Sequence, residues 1–153
     1  MEYQNTRISK LRDYLITVVD VLINDTKYQI NANMLSNDVN NYSLDKIPTA
    51  STVEKWVMGI ERHRDVFNFR GRLPYSQEVI NNLSNIGFFE DFEKKIDFNN
   101  KNGILPDIKG IESIECLNAG AMTSSTSNTA EFEIQIRIIY RINNKELDNE
   151  ASV

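Results

Sequence analysis

A single-domain α+β fold is predicted by three features of this 153-residue chain: an apolar stripe at helical spacing near the N-terminus, two long stretches of strict alternation, and a helical tract between them. Ile8, Leu11, Leu15, Val18, Val19 and Leu22 recur at the spacing of one helix face, so a helix is expected from about Thr6 to Ile23. Asn5 or Thr6 suits its N-cap, and Asn24-Asp25 its end. In Glu131–Ile142 the residues Phe132, Ile134, Ile136, Ile138, Tyr140 and Ile142 alternate with mostly polar ones. That pattern describes a strand with one buried and one polar face. Arg62–Leu73 alternates in the same way, with Arg62, Arg64, Val66, Asn68, Arg70 and Arg72 on one face. His63, Asp65, Phe67, Phe69, Gly71 and Leu73 fall on the other, and Pro74 ends the strand.

The remaining elements follow from shorter signals. Tyr28–Met34 and Asn41–Ile47 read as two extended pieces joined as a hairpin through the polar SNDVNN stretch. Pro48–Ser51 breaks the chain before a strand over Val53–Ile60. Ser76 is a suitable N-cap for a helix buried through Val79, Ile80, Leu83 and Ile86, with Tyr75 and Ile80 as a hydrophobic staple. Gly87 punctuates, and Phe88, Phe89, Phe92 and Ile96 make a second short helix. Phe98–Gly110 is turn-rich, and Ile111–Leu117 is a further strand. The expected architecture is an N-terminal helix and a mostly antiparallel sheet with two further helices packed on one face. The domain spans 1–142, followed by an acidic tail over 143–153 that carries no core pattern.

Composition limits the function. At 41% hydrophobic and 25% charged the chain is ordinary for one globular domain. Its formal charge of −5 argues against general nucleic-acid affinity, which leaves a basic footprint. No apolar run approaches the ~20 residues that span a bilayer. The N-terminal MEYQNTRISK lacks a secretory apolar core, so a cytoplasmic location is expected. His63 and Cys116 are the only histidine and cysteine, so neither a disulfide nor a multi-thiolate site can form. Histidine on a strand beside aromatics, and cysteine within an alternating strand, suit structural roles better than a metal site or a nucleophile pair. No glycine-rich phosphate loop occurs. The expectation is a protein with no enzymatic activity, cofactor or metal.

Two features point to surfaces. The row Arg62, Arg64, Arg70 and Arg72 suits a solvated strand face, an intersubunit contact with acidic groups such as the Glu90–Glu93 helix, or, least well, a nucleic-acid backbone. On the last strand Glu131, Glu133, Arg137 and Arg141 offer both signs of charge, and Ile139 interrupts them. Asn118–Thr129 has almost no apolar anchor. Its Met122, Thr123, Ser124, Ser125, Thr126 and Ser127 are expected to form a mobile loop that orders on assembly.

The stretches NYSLDKIPTASTVEKWVMG, FNFRGRLPYSQEVINNLSNIGFFEDFEKKI and NNKNGILPDIKG resemble the minor structural proteins of Firmicutes phages and prophages. Those are often labelled minor capsid proteins and are similar to tail terminator, or tail completion, proteins. Asp45–Pro48, Phe67–Phe69, Tyr75-Ser76, Gly87-Phe88 and Asn102–Pro106 carry the resemblance, which covers most of Asn41–Ile142. It implies an α/β subunit assembling as a homo-hexameric ring on the tail tube, without catalytic residues. It implies as partners the tail tube protein and, beyond it, a sheath, collar or head–tail connector, with DNA only as passing cargo. The particle would be a phage, a prophage product or a phage-tail-like bacteriocin, assembled in the bacterial cytoplasm. A head–tail connector is the alternative within the same machinery; a small enzyme or a monomeric binding domain is the alternative outside it.

Overall fold

A computed structural model describes residues 5–23, 27–49, 52–56, 58–76 and 78–143. The elements in chain order are α1 (Arg7–Leu22), β1 (Gln29–Ala32), β2 (Asn41–Ile47), β3 (Thr52–Lys55), β4 (Ile60–Pro74), α2 (Val79–Lys101), β5 (Ile111–Cys116), β6 (Ala121–Ser125) and β7 (Thr129–Asn143). The fold is α+β: two helices and one mixed sheet of seven strands in a single domain with an N-terminal helix. The tail expected over 143–153 lies, beyond Asn143, outside the described residues.

The two alternating stretches are the spine. β4 and β7 are both 15 residues long and pair antiparallel from Ile60↔Asn143 to Pro74↔Thr129 without a register shift. Each is flanked on its outer edge by two short strands laid end to end. β2 and β3 line β4, while β5 and β6 line β7. β1 completes the sheet as a parallel neighbour of β2, with Gln29 opposite Asn41.

Alternation delivers one apolar face. Phe132, Ile134, Ile136, Ile138 and Tyr140 of β7 are buried beside Phe67, Phe69 and Leu73 of β4. Both helices cover this face. α1 buries Leu11, Tyr14, Leu15, Val18 and Val19, and Thr6 caps it by accepting from the Ser9 amide at 3.3 Å. α2 buries Asn85, Phe89, Phe92, Ile96 and Asn99, a stripe at helical spacing. Its rings continue those of the sheet: Tyr42, Phe69 and Phe92 stack successively at 5.3 and 5.0 Å, and Phe89 stacks on Phe132 at 5.4 Å. Glycines admit these rings. A Cβ at Gly71 would lie 2.9 Å from the Tyr42 ring, and one at Gly120 would lie 2.6 Å from Phe89. A buried polar link joins the helices: Asn99 donates to the Tyr14 hydroxyl at 3.1 Å, which donates to the Ile104 carbonyl at 2.9 Å.

Several local expectations are corrected. Tyr28–Met34 and Asn41–Ile47 form no hairpin; β1 and β2 run parallel, and the chain returns through Asn33 and Asn40, both at positive φ. The strand expected over Val53–Ile60 is the shorter β3, followed by a turn in which the Gly59 amide donates to the Trp56 carbonyl. The two helices expected around Gly87 are one helix. Burying Phe89, Phe92 and Ile96 together outweighs the roughly 1 kcal/mol preference against a mid-helix glycine. That helix starts at Val79 rather than at Ser76, whose hydroxyl accepts from the Glu78 amide before the helix begins. Leu83 and Ile86, assigned to its buried face, are 60% and 46% exposed because the stripe through Asn85 and Phe89 points inward instead. Asn118–Thr129 is not all loop: β6 adds to the edge of β7. The turn-rich connection expected over Phe98–Gly110 begins only after α2, which runs to Lys101. Gly103 has φ +72, and the amides of Ile104 and Gly103 donate to the Asn99 and Asn100 carbonyls, the two bonds of a Schellman cap.

Two glycines should respond oppositely to alanine. Gly110 has φ +79, and a Cβ there would collide with the Arg141 carbonyl oxygen, which sits beside the β5–β7 ladder. Gly110→Ala should therefore lower unfolding free energy by at least ~2 kcal/mol. Gly87 is helical with nothing within 4 Å of a Cβ, so Gly87→Ala should raise it by ~0.5–1 kcal/mol. Urea denaturation of the two variants measures both.

Candidate functional site

The helix-free face of the sheet carries most of the residues singled out from the sequence. Arg62, Arg64, Arg70 and Arg72 of β4 lie opposite Arg141, Ile139, Glu133 and Glu131 of β7 on this face, and no described element packs over it. The arginines are half-buried rather than freely solvated, and Arg62, Arg70 and Arg72 have acidic partners within the chain. Arg62 reaches Glu112 at 2.9 Å and Glu54 at 3.2 Å. Arg72 donates to the Ser36 carbonyl at 2.7 Å and reaches Glu131 at 3.4 Å. Arg70 meets Asp45 as an ion pair without an aligned Nε hydrogen bond, and lies 3.8 Å from Glu131. Arg137 pairs with Glu115, and Arg141 with Glu112.

Most charges of the face thus join in a lattice of cross-strand ion pairs. The Glu90–Glu93 helix, expected to meet the arginine row across a subunit boundary, supplies none of these carboxylates within the chain. Ile139 is half-buried rather than a lone exposed isoleucine, lying opposite Arg64 and Ser113. Trp56, at the β3–β4 turn, makes cation–π contacts with the guanidinium groups of both Arg62 and Arg141, 5.2 and 5.3 Å from its ring centroid. Individual half-exposed pairs contribute only ~0.2–1 kcal/mol, so the lattice governs which partners the face accepts more than it governs stability.

β6 supplies the second surface. Met122, Thr123, Ser124 and Ser125, with Ala121, are all exposed. They pair with β7 alone, leaving the other edge open among the described residues. A bulge at Thr123 shifts the register between Met122 and Ser124. Thr126 and Ser127 form the turn back to β7, held by the Thr126 amide donating to the Thr129 carbonyl at 2.8 Å. The expected assembly loop is therefore an edge strand and its turn.

On the helical face a third feature escaped the reading of sequence patterns. Asp65 is 2% exposed. Arg7 of α1 donates to it from Nε at 2.8 Å, Tyr140 donates from its hydroxyl at 3.3 Å, and Lys46 of β2 stands 3.8 Å away. The Arg7 guanidinium also lies 4.6 Å above the Tyr140 ring. One buried carboxylate thus ties α1, β2, β4 and β7 together. Burial and the adjacent Asp65 charge push the Tyr140 hydroxyl up to about 12, against the opposing pull of Arg7. The signal was present in the sequence: Asp65 occupies the apolar register of an alternating strand.

His63 and Cys116 do not converge. They flank opposite edges of β7, at Tyr140 and Ile136 respectively. His63 stacks on Tyr140 and hydrogen-bonds Glu61 at 2.7 Å. Burial pushes the Cys116 thiol up to about 12, with Glu93, Glu115 and Asp97 adding to the effect. Among the described residues no group of three or more histidine, cysteine or carboxylate side chains is placed to hold a metal ion. A comparison with protein-family models finds no match to this chain, and no curated protein matches it.

Removing Arg7 leaves Asp65 buried with only Lys46 and Tyr140. Arg7→Ala should cost ~2–3 kcal/mol, less than the 3–5 of a fully buried pair because the Arg7 side chain is 43% exposed. Lys101→Ala, which removes an exposed i,i+4 pair with Asp97, should cost under ~0.5 kcal/mol. Chemical denaturation separates the two. Alkaline pH gives a second test. Folding raises Cys116 from 9.0 and Tyr140 from 10.0, each to about 12. Above pH 9 the unfolded chain sheds these protons while the folded one keeps them, so stability is full below pH 9 and falls as pH rises toward 12. The urea midpoint should drop across this range, and Cys116→Ala should abolish the earliest part of the drop.

Proposed function

We propose that this protein is a non-enzymatic structural component of a phage-type tail. It acts as a tail terminator that closes into a homo-hexameric ring on the last ring of tail-tube protein and stops its polymerisation. The ring then offers a docking surface to a head, neck, collar or sheath. Assembly takes place in the bacterial cytoplasm, and the ring ends at the head-proximal end of the tail. The resemblance carried by Asn41–Ile142 supports the identity, and the α+β subunit with an N-terminal helix is compatible with it.

The observation that carries an assembly role is the unguarded edge of β6. Soluble proteins blunt a sheet edge with lysine, proline, inward charge or a covering element. Every residue of Ala121–Ser125 is exposed, none is charged or proline, and the bulge at Thr123 is the only such device the strand carries. A ring built by rotation joins two different surfaces of neighbouring subunits. The β6 edge on one flank of the sheet and the β1 edge on the other are two such surfaces on opposite sides of one subunit. The ion-pair lattice between them pairs most of its charges within the chain, so it can approach a polar surface at a small electrostatic cost.

Native mass spectrometry of the full chain, alone and mixed with purified tail tubes, tests this reading. A species of six subunits, free or tube-bound, is expected. Thr123→Lys places a charge on the exposed edge and should reduce that species by about tenfold, leaving the far-UV circular dichroism of the subunit unchanged. A wild-type chain that stays monomeric both alone and with tubes would overturn the proposal.

A further inference from the structure

The two open edges of the sheet end the same rows of residues. Ala121 pairs with Glu133, Glu133 with Arg70, Arg70 with Ser43 and Ser43 with Asn31, so one row runs from β6 to β1. The adjacent rows join Met122 to Ile30 and Ser124 to Gln29 in the same way. β6 is antiparallel to β7, β7 to β4 and β4 to β2, while β1 is parallel to β2. β6 and β1 therefore run in opposite directions, and neither has a strand on its outer side among the described residues. A second copy set beside the first in line continues the sheet, its β1 pairing antiparallel with β6. Neither strand carries a charge that would oppose this. Arg12 of α1 donates to the Ile30 carbonyl at 2.6 Å, which leaves that oxygen its second lone pair.

Two unsatisfied groups share one of those rows, on the helix-free face. Glu133 stands opposite Arg70, yet Arg70 turns to Asp45 and Glu131. The Glu133 carboxylate has no ion pair or hydrogen bond among the described residues. At the other end of the row, the side-chain amide of Asn31 is a buried donor without an acceptor, which is costly unless something meets it. In two joined copies these groups face each other across Ala121, whose methyl group is the one side chain between them. Two strand spacings put their Cα atoms about 10 Å apart, within the combined reach of the two side chains once the amide turns toward the edge. The 48% exposed Met122 is covered in the same step by Ile30 of the next copy.

We infer that β6 of one copy joins β1 of the next in this register, with Glu133 accepting a hydrogen bond from the Asn31 amide across the joint. The inference rests on the assembly role and adds the register and the residues that select it. Disulfide trapping in the full chain tests it. Ser124 and Gln29 are exposed and end one row, and directly opposed antiparallel residues lie about 4.5–5.5 Å apart, within disulfide range. Ser124→Cys mixed with Gln29→Cys and oxidised with tail tubes present should give a covalent dimer. A chain carrying both changes should give a ladder up to six subunits. Ser124→Cys with Ala32→Cys, which lies off the row, should give less than about a tenth of that product. Native mass spectrometry supplies a second readout. Asn31→Asp sets a carboxylate against Glu133 and should lower the six-subunit species about tenfold, and adding Glu133→Gln should restore it. Three results overturn the register while the assembly role stands: a wild-type six-subunit species without in-row cross-linking, an unchanged yield in Asn31→Asp, or no recovery with Glu133→Gln. A wild-type chain that stays monomeric with and without tubes overturns both.

Discussion

Everything in this fold hangs on the unbroken ladder between β4 and β7. Its two strands fix the register of all but β1, because β2 and β3 pair with one and β5 and β6 with the other. The same ladder sorts the chemistry of the molecule. One set of alternate positions presents Phe67, Phe69, Ile134 and Ile136 to the helices, and the other presents arginines and glutamates to the far side. A slip of one residue would exchange the two sets, burying guanidinium groups and exposing the core. The burial of so many isoleucine and phenylalanine side chains, each worth ~1.5–3 kcal/mol, makes that exchange prohibitive. The ion-pair lattice is therefore a product of the core, placed by it rather than holding it.

Against this stiff centre the helices are fixed by specific contacts. α2 inserts its phenylalanines where Gly71 and Gly120 leave room, so that the rings of Tyr42, Phe69, Phe89, Phe92 and Phe132 pack face to face. α1 is positioned at its first turn by Arg7 on Asp65 and at its middle by Tyr14 on Asn99 and Ile104. Aromatic stacking and buried hydrogen bonds are directional, so they select one helix placement among the many that apolar burial alone would tolerate.

What the sequence made legible was periodicity, and what it hid was pairing. β4, β7 and α1 are long enough for alternation or helical spacing to declare itself, and the Thr6 cap lies where the pattern places it. β1 has only four residues, too few to reveal whether it runs with or against its neighbour. β6 has no apolar pattern at all; it is a strand because β7 offers it backbone partners. α2 crosses Gly87 because tertiary burial outweighs a local preference. The arginine partners were hidden for the same reason as β6: Arg62 finds Glu112, and Arg72 finds Glu131, only once distant strands share a register. Asp65 was the exception, a charge written into an apolar register, and it receives Arg7 and Tyr140 there.

The order in which the spine is made has a consequence in time. Residues 75–128, with α2, β5 and β6, lie between the two halves of the central pair. As the chain leaves the ribosome, β4 must wait with its ladder groups and phenylalanines unpaired until β7, the last described element, emerges. Non-local pairings of this kind close slowly, since loop entropy is lost before contacts are gained. For that interval α1 and the short strands β1 to β3 have only half a sheet to pack on. The chain is most exposed to misassembly before β7 emerges, when edges that the finished sheet pairs are still open.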